Sequence, residues 1–378
     1  MATLTYANLC HFDFGAVARL PKALASLGVS RPLVITDTGV RAAGLLDCVT
    51  EMLDGGASLP VYDGTPGNPT EAAVMEAARL CREEGCDGIV ALGGGSAIDC
   101  GKATALMAVS DAPLSAYAGI VRGKTPPVLP LVAIPTTAGT GSEVSVGFII
   151  VTADGRKLTF VSEAFIPKVA ICDPELTLGL PPALTAATGM DAVTHAIEAV
   201  LSPVVNPPAE AIGIDALERA VGAGNLERAA ADGGDREARW QMMMAATEGA
   251  YAFVKGLGAV HAMSHACGAL PGLALHHGTL NAVLLPVVLR RNAPAVPDKM
   301  RRIAMAIGLQ AGADVAEAIA ELNRRFGLPA GLAAMGVIEE HVPQLAGQAT
   351  EDLASRTNPV PLDEAGYRAL FMAALAAG

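Results

Sequence analysis

The sequence predicts an α/β domain with a parallel sheet, followed by an all-helical domain. From Arg31 to Ile171, short apolar runs bounded by glycine and proline alternate with helical patterns, as in a parallel sheet covered by helices. After Cys172 the strand patterns end, and long segments rich in Ala, Leu and Met follow. A chain of 378 residues exceeds one ordinary core, so we expect two domains, at residues 1–180 and 181–378.

Four segments of the first half are predicted strands, because each is a short apolar run between turn residues. They are Pro32–Thr36, Gly88–Leu92, Leu131–Pro135 and Val169–Asp173. Thr70–Glu84 is predicted to be a helix, since Pro69 and Thr70 supply a start signal and apolar residues recur along one side. The Gly-Leu-Pro-Pro sequence at 179–182 interrupts any regular element and places the domain boundary there.

The junction after the second predicted strand has the features of a phosphate-binding loop. The strand ends in Gly93, Gly94, Gly95 and Ser96, and a helix begins there. Glycine lets the backbone approach a phosphate closely, and the new helix N-terminus offers unpaired N–H groups. The spacing matches neither the GxGxxG fingerprint nor the P-loop, and a tight turn without a ligand explains this junction alone equally well.

Two further features lie at the ends of predicted strands. Thr136–Glu143 is rich in glycine and hydroxyl side chains, which suits the remainder of a dinucleotide, although a plain polar turn has equal weight. Asp37 ends the first predicted strand. Its carboxylate could accept hydrogen bonds from a ribose 2′-OH and repel a 2′-phosphate, or it could cap the following helix.

The stretch Gly256–Leu289 contains no charged residue but holds four of the seven histidines: His261, His265, His276 and His277. Apolar surroundings favour the neutral imidazole, which is a metal ligand. Four histidines, two prolines and Asn281 argue against a membrane span. A buried helical hairpin whose histidines only satisfy one another remains the alternative.

A helix predicted over Thr185–Ser202 supplies possible partners for these histidines. Asp191 and His195 are four residues apart and therefore share one face, with Glu198 nearby. A structural hydrogen-bonded pair is the alternative interpretation of this spacing. Combined with His261 and His277, the pair would offer one oxygen and three nitrogen ligands, which suit Fe(II) or Zn(II).

Composition limits the classes of function. The net charge of -12 argues against nucleic acid or an anionic membrane as a partner. Seven cysteines without CxxC spacing make a disulfide framework improbable, and the N-terminal residues lack a secretory pattern, so we expect a cytoplasmic protein.

Two further predictions concern charged residues. The segment Arg228–Arg239 is predicted to be a solvated turn. Arg122, Arg156 and Lys255 are the basic candidates for binding a substrate carboxylate.

Four motifs in order, GGGSAIDCGK, PTTAGTGSEV, GMDAVTHAIEA and HAMSHACGALPGLALHHG, resemble the iron-containing (group III) alcohol dehydrogenase family from the first strand to about Asn292. The resemblance implies an N-terminal Rossmann-like domain, a helical C-terminal domain and an active site in the interdomain cleft. It also implies that Asp191, His195, His261 and His277 bind a metal, Fe(II) or else Zn(II), and that His265 handles the alcohol proton. The residues matching NAD contacts are Asp37, Asn68, Gly94, Gly95, Ser96, Asp99, Thr136, Thr137, Thr140 and Lys157.

The resemblance further implies hydride transfer between NAD and a small alcohol or aldehyde, in a homodimer or larger homo-oligomer. Several segments look closest to bacterial 4-hydroxybutyrate dehydrogenases, which interconvert 4-hydroxybutyrate and succinate semialdehyde. Lactaldehyde, 3-hydroxypropanal, butanal and sulfoacetaldehyde are alternative substrates. A metal-free reductase and a sugar-phosphate lyase of the dehydroquinate-synthase type are more distant alternatives. The doubled His276-His277 departs from the family pattern, and His277 is preferred as the ligand because Gly-x-x-Asn-Ala follows it.

Overall fold

The computed structural model of the protein describes residues 8–53, 59–121 and 126–376. The chain separates into two compact units near Gly179. Among the described residues, the sheet unit contains those from Asn8 to Gly179, apart from Ala138–Thr140. The helical unit contains Ala138–Thr140 and the residues from Leu180 onward.

Nine strands are present in the described part of the sheet unit. They are β1 (Leu9–Phe12), β2 (Pro32–Ile35), β3 (Val61–Tyr62), β4 (Gly88–Gly93), β5 (Gly119–Ile120), β6 (Leu131–Pro135), β7 (Gly147–Val151), β8 (Lys157–Val161) and β9 (Val169–Cys172). Six of them form a sheet of order β1-β9-β6-β4-β2-β3, in which every pairing is parallel. A smaller sheet has the order β5-β8-β7. The predicted parallel sheet is therefore confirmed.

The four strands predicted from the sequence are β2, β4, β6 and β9, which are contiguous in the centre of the large sheet. They are buried along their whole length, so their sequences read as continuous apolar runs. The prediction missed the two edge strands and the small sheet. Those strands are short or only partly buried, and they carry no such run.

The described residues of the sheet unit form five α-helices: α1 (Leu20–Ser26), α2 (Thr38–Ala42), α3 (Leu45–Leu53), α4 (Glu71–Glu83) and α5 (Gly95–Met107). They cover both faces, because alternate strand residues enter different cores. Leu33 packs into the core that includes α4 and α5, whereas Val34 packs into the core that includes α1 and α3. The predicted start of α4 is confirmed, since the Thr70 side chain accepts a hydrogen bond from the Ala73 N–H.

Lys102 on α5 is a buried cation that joins α5 to the chain before β7. Its Nζ donates hydrogen bonds to the Ser145 carbonyl at 3.0 Å and the Gly147 carbonyl at 2.7 Å. Burial lowers the pKa of Lys102 to about 8, although the carboxylates of Asp99 and Glu143 oppose the shift. The Lys102 ammonium therefore has hydrogen-bond partners within the sheet unit, which allows a charged side chain in the buried part of α5.

The helical unit has ten α-helices among its described residues and no strand among them. They are α6 (Pro182–Leu201), α7 (Pro207–Leu217), α8 (Asn225–Ala231), α9 (Arg236–Ala252), α10 (Ala259–Gly268), α11 (His277–Asn292), α12 (Pro297–Ala306), α13 (Val315–Arg325), α14 (Val342–Glu351) and α15 (Glu364–Ala376). Helix α6 is buried continuously from Thr185 to its end. No helix in the described ranges combines the length and the apolar character that crossing a membrane requires.

The prediction of a solvated turn over Arg228–Arg239 is wrong at both ends, because residues 228–231 belong to α8 and residues 236–239 belong to α9. Arg239 lies in α9 and is only 2% exposed. Its guanidinium donates to the Thr185 hydroxyl at 2.8 Å and to the carbonyls of Leu180 and Gly233. The guanidinium can be buried because these three oxygens accept hydrogen bonds from its N–H groups. Arg239 thereby connects α9 to Leu180 and Thr185, at the start of α6.

Candidate metal and cofactor sites

Helix α6 places Asp191 and His195 together inside the helical unit. The helix starts with Pro182 at its first position and continues through alanine-rich sequence, which favours helix formation. Four residues separate the two side chains, so they lie on one face, and Asp191 Oδ1 is 3.7 Å from His195 Nε2. Both residues are at least 96% buried. Burial lowers the pKa of His195 to about 4, which keeps this imidazole neutral near pH 7.

Helices α10 and α11 bring the other histidines to the same place. His261 and His265 lie on α10, and the chain then turns and returns as α11, which begins at His277. Gly278 allows α11 to approach α6 closely, because a Cβ at this position would lie 2.3 Å from the Ala187 carbonyl oxygen. The turn between α10 and α11 therefore places His277 beside the histidines of α10.

Asp191 lies at the centre of the histidine cluster. Its Oδ1 is 3.8 Å from His261 Nε2 and 3.6 Å from His277 Nε2. Asp191, His261 and His277 each offer a ligand atom within 4.8 Å of the other two. The His195 ring stacks on that of His261 with centroids 4.6 Å apart. Three of the four predicted ligands, Asp191, His261 and His277, therefore converge, and His195 adjoins them through Asp191 Oδ1 and the His261 ring.

The spacing of these atoms fits a metal ion. Ligand atoms about 2.1 Å from a tetrahedral metal lie about 3.4 Å from one another, close to the separations around Asp191 Oδ1. Asn281 shows that the acceptors converge on one point. Its Nδ2 lies 2.6 Å from Asp191 Oδ1 and 3.2 Å from Nε2 of both His261 and His277. One oxygen and neutral imidazole nitrogens suit Fe(II) or Zn(II).

Two further side chains contact the Nδ1 atoms of His261 and His277. Glu198 Oε2 is 2.7 Å from His261 Nδ1, and Ser264 Oγ is 3.4 Å from His277 Nδ1. Such partners fix the tautomer and the ring angle of a metal-binding histidine. Sequence spacing indicated that Glu198 lies near His195, but its contact with His261 across 63 residues had no local signal.

His265 is paired with an acid that the sequence did not single out. Its Nδ1 lies 2.9 Å from Asp352 Oδ2, and the other oxygen of Asp352 accepts the Ala354 N–H at 2.7 Å. His265 is 3% exposed, and its Nε2 is buried without a hydrogen-bond partner. Because 87 residues separate His265 from Asp352, no sequence pattern could connect them.

The doubled histidine divides into one residue inside the cluster and one outside it. His277 contributes Nε2 to the cluster and has a side chain that is 23% exposed. His276 is exposed and caps α11, since its Nδ1 accepts the Thr279 N–H at 3.3 Å. The two neighbours therefore have different structural surroundings, whereas the sequence alone only favoured His277 over His276 as the fourth ligand.

In the sheet unit, the two glycine-rich loops are neighbours at the carboxyl ends of β4 and β6. A Cβ on Gly94 would lie 3.4 Å from Thr137 Oγ1, and the Thr136 N–H donates to the Gly93 carbonyl at 3.0 Å. Helix α5 starts after Gly94 with no side-chain cap, which leaves its first N–H groups for an anion. Ser96 Oγ donates to the Gly67 carbonyl at 2.7 Å.

Asp37, which follows β2, serves as the cap of α2. Its Oδ1 accepts the Val40 N–H at 2.9 Å, so the capping interpretation is observed directly. The carboxylate also lies beside the glycine loop, because its Oδ2 is 3.3 Å from the position of a Cβ on Gly93. Capping and ribose binding are compatible, since a carboxylate has two oxygens.

The remaining positions matched to NAD contacts have partners within the chain or belong to the other unit. Asp99 accepts hydrogen bonds from Ser142 Oγ at 2.5 Å and from the Ile149 N–H at 2.9 Å. Lys157 Nζ donates to Asn68 Oδ1 at 2.9 Å. Gly95 is the first residue of α5, and Thr140 is grouped with the helical unit.

The three basic candidates for a substrate carboxylate have different surroundings. Lys255 is 1% exposed and its Nζ is paired with Glu210 Oε2 at 2.8 Å, so this residue is not accessible to a substrate carboxylate. Arg156 is exposed and paired with Asp154 at 2.7 Å. Arg122 lies outside the described residues.

Known proteins resemble the chain along nearly its whole length. The family model described as iron-containing alcohol dehydrogenase matches residues 8–174, and that of the C-terminal part of the Fe-containing alcohol dehydrogenase family matches residues 185–375. A 4-hydroxybutyrate dehydrogenase of Cupriavidus necator is 49% identical, over 98% of this chain and 99% of its own. The crystal structure of a 1,3-propanediol oxidoreductase has a TM-score of 0.92 at 37% identity, covering 99% of this chain and 100% of its own.

A sulfoacetaldehyde reductase from Bifidobacterium kashiwanohense, solved in complex with NAD+, has a TM-score of 0.88 at 29% identity and covers 100% of both chains. Family models for both halves of the chain and a near-complete relative at 49% identity agree with the motifs and with the histidine cluster. The chain therefore belongs to the iron-containing alcohol dehydrogenase family and is an NAD-dependent alcohol dehydrogenase of the iron type.

Proposed function

We propose that the protein uses NAD and a divalent metal to interconvert a short primary alcohol and its aldehyde. The convergence of Asp191, His261 and His277, with His195 Nε2 3.7 Å from Asp191 Oδ1, carries this proposal. Fe(II) is the first candidate because of the family, and Zn(II) suits the same donor atoms. When bound, such an ion acts as a Lewis acid toward the substrate oxygen.

His265 is the residue that we propose to hold and move the alcohol proton. Asp352 accepts from its Nδ1, which leaves Nε2 as the atom that exchanges a proton with substrate or water. The buried and unpartnered Nε2 supports this role, because a satisfied structural histidine would have a partner there. His265 also lies beside the proposed ligands, with its ring stacked 5.5 Å from that of His277.

The sheet unit is proposed to bind NAD. The N–H groups at the uncapped start of α5 and the hydroxyl groups of the adjoining Thr136 and Thr137 are the proposed donors to the pyrophosphate. When bound, the nicotinamide accepts or donates the hydride. The relative solved with NAD+ supports this choice of cofactor.

Replacing Asp37 with glycine is expected to lower the preference for NAD over NADP about tenfold or more. The reason is that the carboxylate would repel a 2′-phosphate, and a lost repulsion of about 1.4 kcal/mol corresponds to tenfold. The measurement is the ratio of kcat/KM values for the two cofactors. Asp37→Ser removes the charge but keeps a side chain that can cap α2. This variant should therefore lower the preference for NAD as Asp37→Gly does. If both variants retain the wild-type ratio, Asp37 is only a helix cap.

The substrate that we propose is the pair 4-hydroxybutyrate and succinate semialdehyde, supported by the 49% identical relative. The test measures kcat/KM for succinate semialdehyde, lactaldehyde, 3-hydroxypropanal, butanal and sulfoacetaldehyde with added Fe(II) or Zn(II). Succinate semialdehyde is expected to rank first. Butanal is the matched control, because it has the same chain length without the carboxylate. Equal or faster turnover of butanal would refute the proposed substrate while leaving the alcohol dehydrogenase activity intact.

A further inference from the structure

Glu198 has three hydrogen-bonding contacts with the segment Gly258–His261. It lies in α6, is 4% exposed, and both of its carboxylate oxygens are used. Oε1 accepts the Val260 N–H at 2.8 Å, while Oε2 accepts the Gly258 N–H at 2.8 Å. Oε2 also lies 2.7 Å from His261 Nδ1.

The first two of these contacts replace a cap at the start of α10. The first N–H groups of a helix have no partner within the helix, and Gly258 has no side chain to cap α10. Glu198 takes two of them, and Asn358 Oδ1 accepts a third from Ala259 at 3.1 Å. A Cβ at residue 258 would lie 2.8 Å from Glu198 Oε1, so glycine is needed for this approach.

The third contact decides which nitrogen of His261 carries hydrogen. An ionised carboxylate can only accept hydrogen bonds, so the 2.7 Å contact requires a hydrogen on His261 Nδ1. The neutral ring then has its lone pair on Nε2, the atom that faces Asp191 Oδ1 at 3.8 Å. A hydrogen on Nε2 would block metal binding there.

We propose that Glu198 is a positioning residue for the metal centre, an inference that rests on the proposed metal-dependent function. One carboxylate anchors the start of α10 and fixes His261 in the tautomer whose Nε2 can bind a cation. Because one carboxylate has both effects, the position of α10 and the tautomer of His261 are coupled.

The test is the zinc affinity of the full-length apoprotein, measured by competition with a chromogenic chelator. Glu198→Gln keeps the size of the side chain but replaces one acceptor oxygen with an NH2 donor. With the amide oxygen at the Oε2 position, the NH2 group meets the Val260 N–H, which is another donor. With the NH2 group at the Oε2 position, His261 can pair with it only by accepting at Nδ1, which moves the hydrogen to Nε2. In both orientations the carboxylate charge that raises the basicity of the His261 ring is lost. Zinc affinity is expected to fall about 10- to 100-fold.

Asn358→Ala is the matched control, because it removes a cap of α10 without touching His261. It is expected to lower the melting temperature and to leave the zinc dissociation constant within about threefold. If Glu198→Gln behaves like this control, Glu198 is only a cap and the inference is wrong. Should Glu198→Gln not fold, Glu198→Asp keeps the charge but draws it back from His261, and wild-type zinc affinity in that variant overturns the inference. If the wild-type chain binds neither zinc nor iron, the proposed metal centre fails as well.

Discussion

Replacing His277 with alanine is expected to remove bound metal and dehydrogenase activity together. His277 Nε2 lies 3.6 Å from Asp191 Oδ1, inside the group of ligand atoms. Loss of one ligand weakens the site, and a metal that polarises the substrate oxygen supplies several kcal/mol of transition-state stabilisation. We therefore expect kcat/KM to fall about 1,000-fold or more. Metal content after purification and kcat/KM with saturating Fe(II) or Zn(II) are the two measurements.

His276→Ala is the control, since it changes the neighbouring histidine. This side chain is exposed and caps α11, so its loss is expected to cost about 1 kcal/mol of stability while metal content and kcat/KM remain near wild type. The opposite pattern, with metal lost from His276→Ala and retained by His277→Ala, would make His276 the ligand. Full activity of His277→Ala without bound metal would contradict the proposed function itself.

Gly278→Ala is expected to destabilise the protein strongly, although it adds a single methyl group. The added Cβ would meet the Ala187 carbonyl oxygen at 2.3 Å and its carbonyl carbon at 2.9 Å. These are backbone atoms of a buried helix, so α11 would have to move away from α6. Overpacking of this kind costs about 1–3 kcal/mol or more. Because His277 is the adjacent residue, metal affinity should fall with the melting temperature.

Gly347→Ala provides the comparison for this change. Gly347 lies within α14, where an added Cβ would meet no atom within 4 Å. Alanine is favoured over glycine in a helix by about 0.5–1 kcal/mol, so this variant should be slightly more stable than the wild type. Calorimetric melting curves and zinc titrations of both variants check the prediction. A Gly278→Ala protein with wild-type melting and zinc affinity would show that α6 and α11 can separate without cost.

The sequence predicted the centre of the sheet unit well because its physical causes are local. Strands β2, β4, β6 and β9 are buried on both faces, and the apolar runs that such burial requires are visible along the chain. The cap of α4 at Thr70 is equally local. Edge strand β1 was missed since it is held by pairing with β9, more than 150 residues away.

The candidate metal centre was predicted through spacing and through a family resemblance. Asp191 with His195, and His261 with His265, share helix faces because four residues make about one turn. The prediction that both pairs belong to the same site came from the resemblance to the family's motifs. The structure adds that Asp191, His261 and His277 converge, with His195 beside Asp191 and Asn281 directed at the same point.

The sequence by itself determined the fold class, the two glycine-rich loops and the residues that can bind a metal, since these depend on local pattern and side-chain chemistry. Only the tertiary structure decided the partners that orient them. Glu198 reaches His261 and Asp352 reaches His265 across 63 and 87 residues, and His276 turns away to cap α11. Such contacts depend on how α6, α10, α11 and the chain after α14 pack, and a hydrogen bond between distant segments leaves no periodic signal in the sequence.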